Sequence, residues 1–399
     1  MKTTRRSFLA TAAWTPLLAH AIGGTAATEQ GGAGGERLLY VGTYTNNAAG
    51  SKGIYAWRFN AATGTVTSLG LAAETDSPSW LAVHPSKRFL YAANELPPAE
   101  AGGPEGAITA FAIDQSTGKL TEISRSKSKG RAPAHLLVDP TGKWVIVGNY
   151  GAGNGLEGTS VATFAVGTDG RLAAEPKAFM PHVGKPDAQG VTGASHPHCV
   201  LLSPDGKLLF VAEKGRNEIA IYRWNAATGE LAPNDPRAVD GTTARAAPRH
   251  ITFGRDGRFL YCAYEAGRAV STFAYDSAKG TLTALDTHPT IPADAPQTGS
   301  CAEIEVHPDG TFLYVSNRGH NTLAVFAIDQ AKGTLEPRGH FATGGTPRHF
   351  KIDPTGDYVF TEGQNTGVTL VQRIDRRTGA LTQTAAKLDS PAPVCIAFV

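Results

Sequence analysis

His250-Ile251-Thr252-Phe253, a turn at Asp256-Gly257, Phe259-Leu260-Tyr261-Cys262-Ala263, Ala269-Val270-Ser271-Thr272-Phe273-Ala274, and the loop Asp276 to Gly280 before Leu282 make up the stretch that decides the fold. It reads as three short strands and the start of a fourth, each folded back on the last. Apolar and β-branched residues alternate over four to six positions. Asp and Gly supply the positive φ that tight turns need. The unit then recurs. The Asx-to-Gly loop returns at Asn60–Gly64, Asp114–Gly118, Asn225–Gly229, Asp329–Gly333 and Asp375–Gly379, and shortened at Thr168-Asp169-Gly170. The hairpin returns at Pro85-Ser86-Lys87, Pro140-Thr141-Gly142, Pro204-Asp205-Gly206, Pro308-Asp309-Gly310 and Pro354-Thr355-Gly356.

Seven loops of the first kind thus alternate with six hairpins of the second. Four-stranded units at this period predict an all-β fold, a β-propeller of four-stranded antiparallel blades. The missing hairpin means that one blade is split between the chain ends. Leu38–Tyr44, Gly53–Phe59 and Thr65–Gly70 supply three of its strands. Pro393-Val394-Cys395-Ile396-Ala397-Phe398 reads as the fourth and innermost. Pairing them closes a seven-bladed ring over residues 37–399 and removes the sheet edges that invite aggregation.

Ahead of the repeats, Thr4-Arg5-Arg6-Ser7-Phe8-Leu9 leads into an apolar run that ends near Ile22. This pattern predicts a twin-arginine-type export signal over residues 1–27, cut after Ala21 or Ala27, with a flexible leader over 28–36. The run falls short of the roughly 20 apolar residues a membrane span needs. The expected location is the periplasm or the exterior.

Net charge is +2, and three positive residues, Lys2, Arg5 and Arg6, lie in the segment expected to be removed, which leaves −1. No basic block remains, so a nucleic-acid partner is not expected. Cys199, Cys262, Cys301 and Cys395 lack metal-ligand spacing and fall on or beside inner strands of different blades, where Cys behaves as a small apolar residue. Gly153-Asn154-Gly155-Leu156-Glu157-Gly158 precedes a strand rather than a helix, so it reads as a loop and not as a dinucleotide site. His196-Pro197-His198 finds no third ligand at metal spacing. No metal and no cofactor is expected, and no Gly-x-Ser-x-Gly elbow is present.

The long segments 95–106, 151–158, 176–196, 233–246 and 286–300 all connect second to third strands or one blade to the next. They therefore gather on one face, and the tight turns gather on the other. Binding groups concentrate on loops held by a rigid scaffold. On that face, Ser79, Ala134, His198, Arg249, Ala302 and Arg348 begin the inner strands. Sixteen positions later come Glu95, Tyr150, Lys214, Glu265, Arg318 and Gln364. The constant interval sets each pair side by side at the channel mouth. Cations, carboxylates and an imidazole converging on one hollow suit a small anionic substrate and acid–base chemistry. His198, Arg249, Glu265 and Arg318 are the catalytic candidates. Arg348, Glu95, Lys214 and His196 are the expected substrate contacts. By strand alternation His135, His250 and His349 should point away from this column, as hydrogen-bonded structural groups between blades.

Val41-Gly42-Thr43-Tyr44-Thr45, followed by Lys52-Gly53-Ile54-Tyr55, resembles the opening of the seven-bladed lactonase family. That family includes the propeller-type 6-phosphogluconolactonases and is similar to fungal carboxymuconate cyclases. The resemblance continues through His196-Pro197-His198, Ala247-Pro248-Arg249-His250, Glu265 and Ser316-Asn317-Arg318-Gly319, over nearly the whole chain after the signal. It implies that His198, Arg249, Arg318 and Glu265 are active-site residues. Where the family carries Asp-Leu-Gly-x-Asp, this chain has Glu213-Lys214-Gly215-Arg216-Asn217. The resemblance implies a lactone hydrolase acting on a sugar-type lactone, with water activated by His198 or Glu265. The alternatives are a carboxymuconate-type cycloisomerase, which uses the same groups without water, and a non-catalytic binding propeller.

Overall fold

A computed structural model describes residues 35–46, 48–96, 105–151, 158–185 and 193–399. The expected signal and nearly all of the leader lie outside the described residues, as do parts of the loops 95–106, 151–158 and 176–196. The described residues form 28 strands in seven four-stranded antiparallel sheets, with no helix among them. Accordingly, none of them forms a helix long and apolar enough to cross a membrane. Six sheets are consecutive meanders. The seventh, blade 1, joins Pro393–Phe398 to Glu36–Thr43, Gly53–Asn60 and Thr65–Glu74. Its closing register sets Leu39 opposite Phe398, Val41 opposite Ile396 and Thr43 opposite Pro393. The innermost strands of blades 2 to 7 are Pro78–Val83, Pro133–Val138, Pro197–Leu202, Pro248–Phe253, Ser300–Val306 and Pro347–Ile352. Each packs on the next, and the last packs on Pro393–Phe398, so the ring is closed.

The core lies between blades rather than within one. Phe210 and Leu208 of blade 4 pack with Leu260 and Phe273 of blade 5, and six further clusters repeat this around the ring. A second strand is covered on both faces by its neighbours. Leu208–Glu213 and Phe259–Tyr264 are accordingly buried at every position, which is why Leu208–Ala212 and Phe259–Ala263 read as unbroken apolar runs. The tight turns pack as closely. Gly229 closes the Asn225 loop at φ 73, and a Cβ there would lie 2.3 Å from the Trp144 ring. The turn therefore requires glycine both for its left-handed backbone and for the contact.

The outermost strands are longer than expected. Blade 5 ends in Thr281–Pro289, and Glu230–Asp240 of blade 4 runs well into a segment expected to be a loop. Both are edge strands, so half their residues face water. Both also pair across a register slip, between Ala220 and Tyr222 and between Thr272 and Phe273. A bulge shifts the alternation by one residue and hides the strand period.

Candidate active site

Two backbone habits build the mouth of the channel. First, in every blade but the sixth, where Arg318 instead pairs with Ser300 inside the strands, the residue after the second strand donates its N–H to the carbonyl just before the inner strand. Glu95 donates to Ser77 (3.0 Å), Tyr150 to Ala132 (3.0 Å), Lys214 to His196 (3.0 Å) and Glu265 to Ala247 (2.8 Å). This repeated bond brings the two predicted columns to one end of the ring. Second, the inner strands bulge where they begin. Register slips between Pro78 and Trp80, Pro133 and His135, Pro197 and Cys199, and Pro248 and His250.

A bulge re-aims side chains, and here it corrects the expectation for the second histidine column. Arg249 and His250 are sequence neighbours, yet both reach the axis. Arg249 Nε lies 3.1 Å from Glu265 Oε2. The His250 ring lies 5.0 Å from His198, 5.3 Å from Trp80 and 5.5 Å from His135. His349 also meets Trp80, at 5.2 Å, and His135 lies against the same indole at 4.1 Å, tilted by 33°. These three histidines therefore do not point away. They form a second layer in the channel, beneath the mouth, with the Trp80 indole on the axis. A cavity of about 430 Å³ continues below them, and none of the eight predicted site residues lines it.

In the mouth, Glu265 is the hub. Its Oε2 contacts Arg249 (3.1 Å) and Arg318 (3.3 Å), and its Oε1 contacts Lys214 (2.8 Å). Lys214 also donates to Tyr150 Oη at 2.8 Å. Arg249 and Arg318 are further fixed by donating to the carbonyls of Ala302 and Cys301. His198 is 4% exposed, and its ring meets the Tyr150 ring edge-on at 5.5 Å. A second pair, Arg348 and Glu95, lies 3.6 Å apart and shares Tyr44, whose hydroxyl donates to Glu95 at 2.8 Å. His196 is placed differently from a substrate contact. It stacks on Tyr150 at 4.0 Å and donates from Nδ1 to the Tyr150 carbonyl. These two contacts tie His196 to the Tyr150 ring and backbone.

Three participants were not among the predicted site residues. Tyr150 sat in the second column but has no charge to mark it. Tyr44 is the blade 1 member of that column, and the interval of sixteen fails there because its inner strand comes from the other chain end. Glu213, fully buried, accepts from the Ser195 hydroxyl and from the backbone N–H of His196 (2.9 Å) and Arg216 (3.2 Å). It anchors the segment that carries His198. The replacement of the family's Asp-Leu-Gly-x-Asp by Glu213-Lys214-Gly215-Arg216-Asn217 marked this spot in the sequence.

The electrostatics separate the candidate roles. Arg249, Arg318, Arg348 and Lys214 face Glu265 and Glu95, which leaves two surplus positive charges. Burial alone would raise the Glu265 pKa, but Arg249, Arg318 and Lys214 pull it down to about 2. Burial, with Arg318 and Arg348 nearby, brings Arg249 down to about 9, so it keeps its proton at neutral pH. Burial, then Arg249 and His250, hold His198 well below its ordinary 6.5. The mouth thus offers an anion trap, an oriented carboxylate and a neutral imidazole. Among the described residues no group of His, Cys, Asp and Glu is arranged to hold a metal ion. The four cysteines are buried free thiols.

The buried histidines also govern acid stability. His135, His198 and His250 are held well below 6.5 by burial, and His349 is held to about 4. Their folded pKa values are depressed, so their contribution is complete above the unfolded value and is lost as pH falls below it. Glu303 and Glu362, raised by burial, act with the opposite sign. Four rings outnumber the two carboxylates, so below pH 6.5 the unfolded chain binds more protons than the folded one and stability falls with pH. Urea unfolding should show stability falling steeply from pH 6.5 to 5. A flat profile would mean that these rings are not buried neutral.

A model of one protein family, described as lactonase, 7-bladed beta-propeller, matches residues 38–398. A Bacillus subtilis protein named 6-phosphogluconolactonase is 28% identical over 361 residues, which cover 90% of this chain and 97% of that one. A second protein of that name, from Pectobacterium carotovorum, is 29% identical, covering 88% of this chain and 96% of its own. The solved structure of a Pseudomonas aeruginosa protein described as periplasmic gluconolactonase superposes with a TM-score of 0.83 at 32% identity, covering 92% of this chain and 99% of that one.

Proposed function

Because this chain belongs to the lactonase family of seven-bladed β-propellers, and is on that footing a lactone hydrolase, we propose that the channel mouth opens a sugar-type lactone with His198 as base. One observation carries the assignment of roles: a buried neutral imidazole stands beside an excess of buried cations. Water attacks the ring carbonyl while His198 takes its proton. The electron pair of the carbonyl moves to oxygen, and Arg249 and Arg318 stabilise that oxyanion. As the ring C–O bond breaks, the alkoxide takes the proton from His198, and the new carboxylic acid ionises to release one proton. Glu265 is a poor base because three cations hold its electron pair. Its proposed role is to orient Arg249, Arg318 and Lys214. Arg348 and Glu95 line the far side, where a substrate's hydroxyl or anionic groups would sit.

The twin-arginine pattern, together with the periplasmic structural relative, supports export. The test is acid release by the purified chain on gluconolactone and on its 6-phosphate, against spontaneous opening in the same buffer. Acceleration of at least one is expected. No rate above background on either lactone would overturn the reading.

The two kinds of charged residue should also differ in kinetics. Arg249→Ala removes a buried donor to the substrate, so KM rises and kcat/KM falls about 10²–10³-fold. Glu265→Gln leaves three cations without their counter-charge, so thermal stability falls by about 3 kcal/mol alongside the loss of rate. Arginine and glutamate variants with matching KM and matching melting would contradict this division.

A further inference from the structure

Beneath the mouth lies a row of buried acid and base groups that the hydrolysis itself does not touch. The order of their protons follows from hydrogen-bond polarity. A backbone N–H can only donate, and that of Ile396 points at His349 Nδ1 (3.3 Å). His349 Nδ1 is therefore bare, and the Glu362 carboxyl, 2.9 Å away, must donate to it as the protonated acid. Burial, which raises Glu362 well above its usual range, acts in the same sense. The proton of His349 is then on Nε2, which lies 3.7 Å from Glu303 Oε2, beyond hydrogen-bond length but close enough for its positive end to favour a carboxylate there. Glu303 also receives the backbone N–H of Ile304 at 3.0 Å. His250 Nδ1 lies 3.0 Å from Glu303 Oε1 and 2.9 Å from Oε2, the geometry of one ring N–H shared between both oxygens of a carboxylate, so His250 Nδ1 is the donor.

That leaves His250 Nε2 with a lone pair, buried and without a partner among the described residues. The neighbouring ring has the matching deficit. His198 Nδ1 is buried and without a partner among the described residues, and the two rings are 5.0 Å apart in an edge-to-face contact. A buried lone pair is satisfied only by a donor, directly or through one water. We propose that Glu303 and His250 are positioning residues which lock His198 in the tautomer with its proton on Nδ1, leaving the bare Nε2 to face the mouth. Glu303 sets His250, and His250 sets His198. The orientation logic is that of a carboxylate behind a catalytic histidine, extended by one imidazole. The kinetic meaning rests on His198 being the base of a lactone hydrolase, but the tautomer does not.

The experiment is histidine ¹⁵N NMR on the full chain at neutral pH, with the His198 signals assigned by their loss in His198→Ala. Wild type should show His198 with its proton on Nδ1. His250→Phe keeps a ring against Trp80 but removes the acceptor, so His198 should become a mixture of tautomers. In the same variant kcat should fall about 10–100-fold with KM unchanged. His250→Gln, whose side-chain oxygen restores an acceptor, should recover at least tenfold of that loss. A wild-type His198 protonated on Nε2 overturns the proposal, and needs no variant to fold. A His198 that keeps its Nδ1 proton in folded His250→Phe also overturns it. Lack of lactonase activity with the Nδ1 proton in place would instead remove the hydrolase reading while the proposal stands.

Discussion

His198→Ala lowers kcat on the lactone substrate by about 10²–10⁴-fold and moves KM little, because a general base acts in the transition state. The geometry singles out this residue over Glu265. Both stand in the mouth, but Glu265 is bound to Arg249, Arg318 and Lys214 and is held at about 2, whereas His198 is neutral and has no hydrogen bond to another described side chain. Its ring contacts are edges of Tyr150 and His250 rather than ion pairs, so trimming it leaves the charge cluster standing. The variant should keep the wild-type melting temperature within a few degrees. A His198→Ala enzyme with wild-type kcat would transfer the base role to another group.

Deleting Pro393–Val399 abolishes the cooperative unfolding transition. The segment is the innermost strand of blade 1, and Val394, Cys395, Ile396 and Ala397 are buried in it. Burial of Ile396 alone is worth about 2–3 kcal/mol. The cut also strips Leu39 and Val41 of their cover and leaves the second strand of blade 1 as an open edge. Together these losses are comparable with the whole stability of a typical domain, about 5–15 kcal/mol. Ile396→Val is the graded control, expected to cost about 1 kcal/mol and to melt cooperatively. A truncated chain that melts as sharply as the full one would show that the ring does not depend on its closure.

The closure was legible because turns are local chemistry. Asp, Asn and Gly announce each hairpin wherever the chain goes afterwards, and a count of seven against six leaves one strand to be found at the other end. The convergence of His198, Arg249, Glu265 and Arg318 was legible for a related reason: a fixed interval of sixteen implies one repeated hairpin. What escaped was set by departures from period two. The bulges after Pro133 and Pro248 turn His135 and His250 toward the axis, and alternation alone sends them the other way. Tyr44 escaped because its partner strand begins 349 residues later, at Pro393. The polarity of the Glu362–His349–Glu303–His250 row depends on backbone donors that no side-chain pattern reveals.

Trp80 has a kinetic consequence. With its indole packed against His135, His250 and His349, the axis is stoppered below the mouth. In the proposed site, lactone, attacking water and ring-opened acid must therefore use one doorway in turn. In the proposed site, the departing acid carries a fresh negative charge past Arg249, Arg318 and Arg348, the groups proposed to draw the substrate in. Product should thus occupy the free enzyme in direct rivalry with substrate, and added salt should hasten its exit.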